Sequence, residues 1–417
     1  MSPRNIIFRI YPSSKQRQQL FGWLALHREL YNAALQERRD AYKSNGVSLS
    51  YNHQQNELPA VKEARPELVP LGSHALQETV RRVDRAYQAF FRRIKAGEVP
   101  GYHRFKGRDR FESFTYPDPN GWKVVEQKEG KGRLRITNLG TIPMRGKPRV
   151  RLADGESRTL TIRAKADKWY AVIGVRYPET ALQRNCAYSD RAVGIDVGCK
   201  ALVASSDGDL IDNPRHLARA QEKLCQVQVE LSRKKKDSRR RFKLKAKVVR
   251  LHATVANRRK DFLHQLSAAM VQLYPLIAVE NLKLKNMTRS ARGTVEAPGK
   301  NVKQKAGLNR SMLDAGIGLL FQMLAYKAEE AGGRYVEVVP NGTTQKCFWC
   351  GKTVSKDLSV RWHQCPHCGF SVDRDYNAAL NILFLGLTKA GWEPSKAWRR
   401  ASLAVNRETT SMLPLAA

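Results

Sequence analysis

Apolar and polar positions change period three times along the chain. Residues 2–10 (SPRNIIFRI) mix basic and apolar side chains as a short strand does, and Pro12 ends the run. The period then becomes helical. Ser13 or Ser14 is placed to cap a helix, and Leu20, Trp23, Leu24, Leu30, Tyr31, Ala34 and Leu35 give it one apolar face as far as about Ser44. Residues 45–70 are loop-rich, with room for one short helix. The cleanest period covers 73–96, where Leu76, Val80, Val83, Tyr87, Phe90 and Ile94 are spaced by fours and threes and predict a helix packed along that stripe.

From about Phe111 to Tyr177 the pattern turns to strands, predicted at 133–137, 149–152, 159–164 and 169–175 with Gly, Pro and Asp between them. A small β-barrel is the expected packing, because closure removes edges. If strand 2–10 joins it, the helical region is an insertion. A new unit is expected from near Ala187. It begins with a buried strand over 192–197, a second over 201–205 and a turn at Asp207-Gly208 into Leu210 and Ile211. Long helices over 215–235 and 238–274 follow, then a buried strand over 276–279 ending at Glu280. Next come a polar loop over 285–309, a helix over 313–331, a strand over 334–339 and a last helix over 375–385. Beyond Gly391 the period fades and a disordered tail is expected. The fold class is therefore α/β and multidomain.

Charge narrows the function. The 417 residues carry 74 Lys plus Arg against 38 Asp plus Glu, a formal net charge of +36. A chain that basic favours polyanions, because each neutralised phosphate releases a counterion. The 73–96 helix presents Arg81, Arg82, Arg85, Arg92, Arg93 and Lys95 off its apolar stripe, with only Glu78 and Asp84 acidic. Between Arg233 and Arg250, 11 of 18 residues are Lys or Arg, among them Lys234, Lys235, Arg239 and Arg240. Both segments read as nucleic-acid contacts that grip backbone rather than bases. Met1 to Ile10 lacks the apolar run of a secretory signal, and no stretch approaches the roughly 20 apolar residues of a membrane span. A cytoplasmic protein with no membrane partner is expected.

Of seven cysteines, four form two pairs, Cys347-x2-Cys350 and Cys365-x2-Cys368, separated by 14 residues. Each pair can close a tight knuckle, and four thiolates suit one tetrahedral, structural Zn²⁺. Gly351 and Gly369 supply backbone freedom after each pair. The acids are less conspicuous. Asp196 lies inside an apolar strand, where a carboxylate is costly unless paired or bound to metal. Glu280 ends another buried strand. Asp375 stands at a helix start beside its rival Asp373. Each alone also reads as a strand-end charge or a helix cap. In combination, strand–Asp–Gly–strand, then strand–Glu, then Asp at a helix start is the order of an RNase H-like nuclease. Phosphodiester hydrolysis needs an activated water and a stabilised leaving oxygen. Two Mg²⁺ ions held by carboxylates supply both, with Asp196 expected to bridge and Glu280 and Asp375 to flank.

The same residues resemble a known family. Leu30-Tyr31-Asn32-Ala33-Ala34-Leu35, Arg104-Phe105-Lys106, Gly194-Ile195-Asp196-Val197-Gly198, Val279-Glu280-Asn281-Leu282 and Asp373-Arg374-Asp375-Tyr376-Asn377-Ala378-Ala379 are similar to blocks of TnpB, the OrfB-type protein of bacterial insertion sequences and a relative of type V CRISPR effectors. The resemblance reaches about residue 390. Asn341-Gly342-Thr343-Thr344 departs from it, since an aromatic residue and Thr-Ser are more usual there. The resemblance implies an RNA-guided DNA endonuclease that binds a transposon-end guide RNA and double-stranded target DNA as one monomer per RNA. It implies a wedge barrel (1–10 and 111–187), a helical recognition domain (11–110), a RuvC-like nuclease domain (188–346 and 370–391) and an inserted zinc ribbon (347–369), with 392–417 as the tail. It selects Asp375 over Asp373 and suggests Ser73 and Gln77 as readers of a short motif beside the target. The competing readings are a minimal type V CRISPR effector, a non-cleaving RNA-guided repressor, a strand-joining transposase and a structural RNA-binding protein. The last leaves Asp196 unexplained.

Overall fold

The computed structural model describes residues 2–128, 130–146, 152–178, 191–294, 296–357 and 360–391. The chain divides into two units, Met1–Leu182 and Gln183–Ala417. The expectations for 179–190 and for the tail over 392–417 lie outside the described residues.

The first unit opens with β1 (Ser2–Ile10) and α1 (Ser14–Asn45). Ser13 and Gln16 close a reciprocal capping box, and Gly46, left-handed at φ 66°, ends the helix. All seven apolar positions expected on one face of α1 are buried. The stretch read as loop with one short helix forms two, α2 (Tyr51–Asn56) and α3 (Leu58–Ala64), and a 3₁₀ turn, Pro66–Leu71. In α4 (Ser73–Lys95), Leu76, Val80 and Val83 are buried. The rest of the stripe is not: Tyr87 and Phe90 are half-buried and Ile94 is exposed.

Six further strands complete an antiparallel sheet: β2 (Ser113–Tyr116), β3 (Trp122–Lys128), β4 (Lys131–Ile136), β5 (Gly140–Arg145), β6 (Glu156–Lys165) and β7 (Lys168–Tyr177). Their order is β2-β6-β7-β1-β5-β4-β3. β1 pairs with β7 along its whole length but with β5 only at Arg9 and Ile10. Helices α1 to α4 are thus inserted between the sheet's first strand and its second. The expected closed barrel is not formed by hydrogen bonding: among the described residues β2 and β3 do not pair. Helices cover the β2 edge instead. Arg82 of α4 donates to the Ser113 carbonyl, and His27 of α1 stacks on Phe114. β2, β3 and β5 are additions to the expected strands. Of the strand read at 149–152, Leu152 starts a 3₁₀ turn and the rest is not described.

The second unit is built on β8 (Ala192–Val197), β9 (Ala201–Ser205), β10 (Leu210–Asp212), β11 (Leu276–Glu280) and β12 (Arg334–Val338) in the order β10-β9-β8-β11-β12. β8, β11 and β12 run parallel, and β9 and β10 antiparallel to their neighbours. Between them lie α5 (His216–Ser232), α6 (Arg239–Leu273), α7 (Leu284–Met287), α8 (Val302–Ala315) and α9 (Ile317–Glu330). A short hairpin, β13 (Trp362–Gln364) and β14 (Ser371–Asp373), precedes α10 (Arg374–Lys389). The helix read over 313–331 is two helices. α8 starts inside the expected loop, and Gly316, at φ 72°, breaks it from α9. Because strand side chains alternate, Val193, Ile195, Ile277 and Val279 join the α6 and α9 side chains in one core. Leu276 and Ala278 pack with Ile382, Leu383 and Leu387 of α10 in another.

Candidate functional site

Gly194 and Gly386 fix where α10 lies. A Cβ on Gly194 would sit 2.2 Å from the Ala379 carbonyl oxygen and 2.4 Å from the Leu383 nitrogen, and one on Gly386 would sit 2.3 Å from the Ala278 Cβ. Only glycine permits that approach of helix to strand. Asp196 follows Gly194 by two residues and so faces the same side of the sheet. Asp375 precedes Ala379 by about one helical turn. The parallel register Ile195↔Val279 carries Asp196 and Glu280 to neighbouring strand ends. Three acids, from β8, β11 and the first turn of α10, therefore converge at one end of the sheet.

Their electrostatics agree. Burial, then the nearby Glu280 and Asp375, push the Asp196 carboxyl up to about 8. Burial raises Glu280, an effect opposed by a hydrogen bond from Thr343, and burial followed by Asp373 raises Asp375. Neighbouring like charges favour protonation or a bound cation. Oxygen-only donors suit a hard divalent ion such as Mg²⁺. The two rival acids also separate. Asp373 caps α10, its Oδ1 accepting from the Asp375 and Tyr376 amides at 2.8 and 3.3 Å. Asp375 is free of that duty, and Arg361 lies 3.8 Å from it.

Thr343 has no role in the sequence reading, where its segment stands out only as a departure from the family pattern. Its hydroxyl donates to Glu280 Oε1. The Thr343 carbonyl in turn accepts from Asn381 Nδ2 at 2.9 Å. Nothing in chain order links residues 280, 343 and 381; only the fold brings them together.

The four cysteine sulfurs lie within 4.8 Å of one another. Cys347 and Cys368 are 3.7 Å apart, and Cys350 and Cys365 3.6 Å. Tetrahedral Zn–S bonds of about 2.3 Å require sulfurs roughly 3.8 Å apart, so the set fits zinc. Burial pushes the Cys347 thiol up to about 12, while at Cys365 burial is outweighed by backbone and thiol hydrogen bonds that bring it down to about 7; a bound cation favours the thiolate at both. Each knuckle closes on its glycine, with Gly351 N donating to the Cys347 carbonyl and Gly369 N to that of Cys365. Buried Asn377 accepts from Phe348 N and donates to the Lys346 carbonyl, tying the first knuckle to α10.

The expected nucleic-acid contacts are mixed. Arg82 is half-buried and donates to the Ser113 carbonyl at 2.6 Å and Thr115 Oγ1 at 2.7 Å, tying α4 to β2. Arg81 bonds the Tyr51 hydroxyl, Arg85 pairs with Glu78 and Arg93 with Glu98. Arg92 is exposed. Ser73, at the start of α4, accepts from Lys62 Nζ and lines a cavity of about 240 Å³ with Tyr116 and Asn138, while Gln77 is half-buried. Lys235, Arg239 and Arg240 are exposed and Lys234 half-buried, around the α5–α6 turn.

Similarity to known proteins extends along nearly the whole chain. An OrfB-type family model described as a probable transposase matches residues 175–291, a Cas12f1-like TNB domain model matches 318–382, and a helix-turn-helix model matches 1–47. In this structure residues 2–47 hold one strand and one unbroken helix. A putative RNA-guided DNA endonuclease, InsQ, of Escherichia coli K12 is 32% identical over 91% of this chain and 91% of its own length. A putative RNA-guided DNA endonuclease of Streptomyces pristinaespiralis is 30% identical over 98% of this chain and 95% of its own. Among solved structures, the mini-RNA-guided endonuclease CRISPR-Cas phi3 shares the fold, with a TM-score of 0.54 at 8% identity over 93% of this chain and 92% of that one. Relatives matched over nine-tenths of their length at this identity leave one assignment: the chain belongs to the TnpB family.

Proposed function

We propose that the protein is an RNA-guided DNA endonuclease that hydrolyses phosphodiester bonds at the Asp196–Glu280–Asp375 cluster. The observation that carries this is the convergence of three carboxylates with raised proton affinities at one sheet end. The order β10-β9-β8-β11-β12 supports an RNase H-like, RuvC-type reading of this sheet. The relatives' names and the net charge of +36 support an RNA guide and a double-stranded DNA target.

Asp196, Glu280 and Asp375 would together hold two Mg²⁺ ions. When bound, the ions supply an activated water and charge stabilisation at the leaving 3′ oxygen. Thr343 donates to Oε1 of Glu280 and so helps hold that carboxylate in place. Cys347, Cys350, Cys365 and Cys368 would hold a structural Zn²⁺ as a ribbon joined to α10 through Asn377. In the first unit, the β1–β7 sheet fits a wedge domain and the α1–α4 insertion a recognition lobe.

Asp196→Ala tests the chemistry. It is expected to abolish cleavage while RNA and target DNA still bind, because it removes a metal ligand and little packing. Wild-type cleavage in that variant would remove the cluster from the mechanism. Lost RNA binding would make the acid structural.

A further inference from the structure

We propose that Thr343 is a positioning residue for the divalent-metal site, and that the first cysteine knuckle holds it in place. The proposal rests on the reading of Asp196, Glu280 and Asp375 as metal ligands.

Glu280 is the last residue of β11 and only 8% exposed, and Thr343 is 3% exposed. A glutamate on a strand end has several rotamers available. The Thr343 hydroxyl engages Oε1 and selects one of them. Thr343 is fixed from the other side by its own segment. Lys346 N closes a turn onto the Gly342 carbonyl at 2.8 Å. Asn381 donates to the Thr343 carbonyl at 2.9 Å and to the Lys346 carbonyl at 2.8 Å. Asn377 donates to the same Lys346 carbonyl at 2.9 Å and accepts from Phe348 N at 3.1 Å. Cys347, between those anchors, donates its amide to the Lys352 carbonyl inside the knuckle.

The segment from Thr343 to Phe348 thus runs from a catalytic carboxylate to the first sulfur of the four-cysteine site. Both ends are pinned to α10, the helix that carries Asp375. The placement of Glu280 relative to Asp375 depends on this strap. Hydroxyls that orient a metal ligand typically contribute about 10–100-fold to metal affinity.

The test is Mn²⁺ binding, followed by the electron paramagnetic resonance of free Mn²⁺, to the full-length RNA-bound protein. The acid site is counted as Mn²⁺ bound beyond that of Asp196→Ala. Thr343→Val keeps the shape and removes the donor, and is expected to weaken this site by about 10-fold or more. Thr343→Ser restores the hydroxyl and is expected to bind as wild type does. Asn381→Leu keeps the hydroxyl but cuts the strap, and is also expected to weaken binding; it carries the test if Thr343→Val does not fold. Affinity within about twofold of wild type in either folded variant overturns the proposal and leaves the acid cluster standing. If wild type binds no more Mn²⁺ than Asp196→Ala, the acid-cluster reading itself fails.

Discussion

The Asp196 carboxyl is open to titration. It is raised from 3.8 to about 8 by burial, Glu280 and Asp375. Between those values the metal-free folded chain holds a proton that the unfolded chain has released. Stability of the metal-free protein therefore falls as pH rises from about 4 to about 8, and is fully present below that window. Asp196→Asn removes this loss, so at pH 8 in EDTA the variant is expected to melt above wild type, and at pH 4 beside it. Melting curves at the two pH values check this; a variant less stable at pH 8 counts against it. Divalent binding runs the other way. Mg²⁺ competes with the proton, so its affinity is expected to rise through the same window, and a pH-independent affinity by calorimetry would contradict the assignment. Asp196 is legible in the sequence because a lone acid among Val193, Ile195 and Val197 has few cheap explanations. The choice of Asp375 over Asp373 is not legible from spacing, since both stand at a helix start; in the fold Asp373 is the helix cap and Asp375 lies in the first turn. Thr343 is invisible there because its partner lies 63 positions away.

Among the elements, α10 organises the site. It rests on β8 and β11 through Gly194 and Gly386, and it holds the first knuckle through Asn377 and Asn381. Gly194→Ala would drive a methyl into the helix backbone, and is expected to cost about 1–3 kcal/mol of stability and to reduce cleavage by displacing Asp375. Chemical denaturation and single-turnover cleavage check both; an unchanged midpoint would mean the helix can lift away freely. Zinc removal acts on the neighbouring segment. Chelation is expected to loosen 343–373 and expose it to protease while the β1–β7 sheet stays protected. A digestion pattern unchanged by chelator would contradict a zinc-held ribbon. Period identifies α1 well, because its face packs against a core over several turns, and finds α4, although only the first half of that stripe is buried. It fails at α8, whose Leu308 and Leu313 are exposed and give no stripe. It also misses β2, only four residues long, and β3 and β5, in which basic residues and Pro143 interrupt the alternation.

At the scale of the whole molecule, charge and family set the function. A net +36 spread over basic helices makes binding to nucleic acid salt-dependent, and raising salt from about 50 to 200 mM is expected to weaken RNA binding by roughly 10³-fold or more. Changing Lys235, Arg239 and Arg240 to alanine is expected to flatten the salt slope by about one unit for each phosphate no longer neutralised; filter binding at several salt concentrations reads it, and an unchanged slope would place those residues off the nucleic acid. The central claim is that a bound RNA selects the DNA that the three acids cut. The measurement that meets it most directly is cleavage by the protein purified with its RNA. The substrates are duplex libraries carrying either the sequence of that RNA's variable end or a scrambled version, with Mg²⁺ or with EDTA. Cutting of the matched duplex alone, only with Mg²⁺ and not by Asp196→Ala, is the expected result. Equal cutting of matched and scrambled DNA, or cutting that persists in EDTA, would contradict the account.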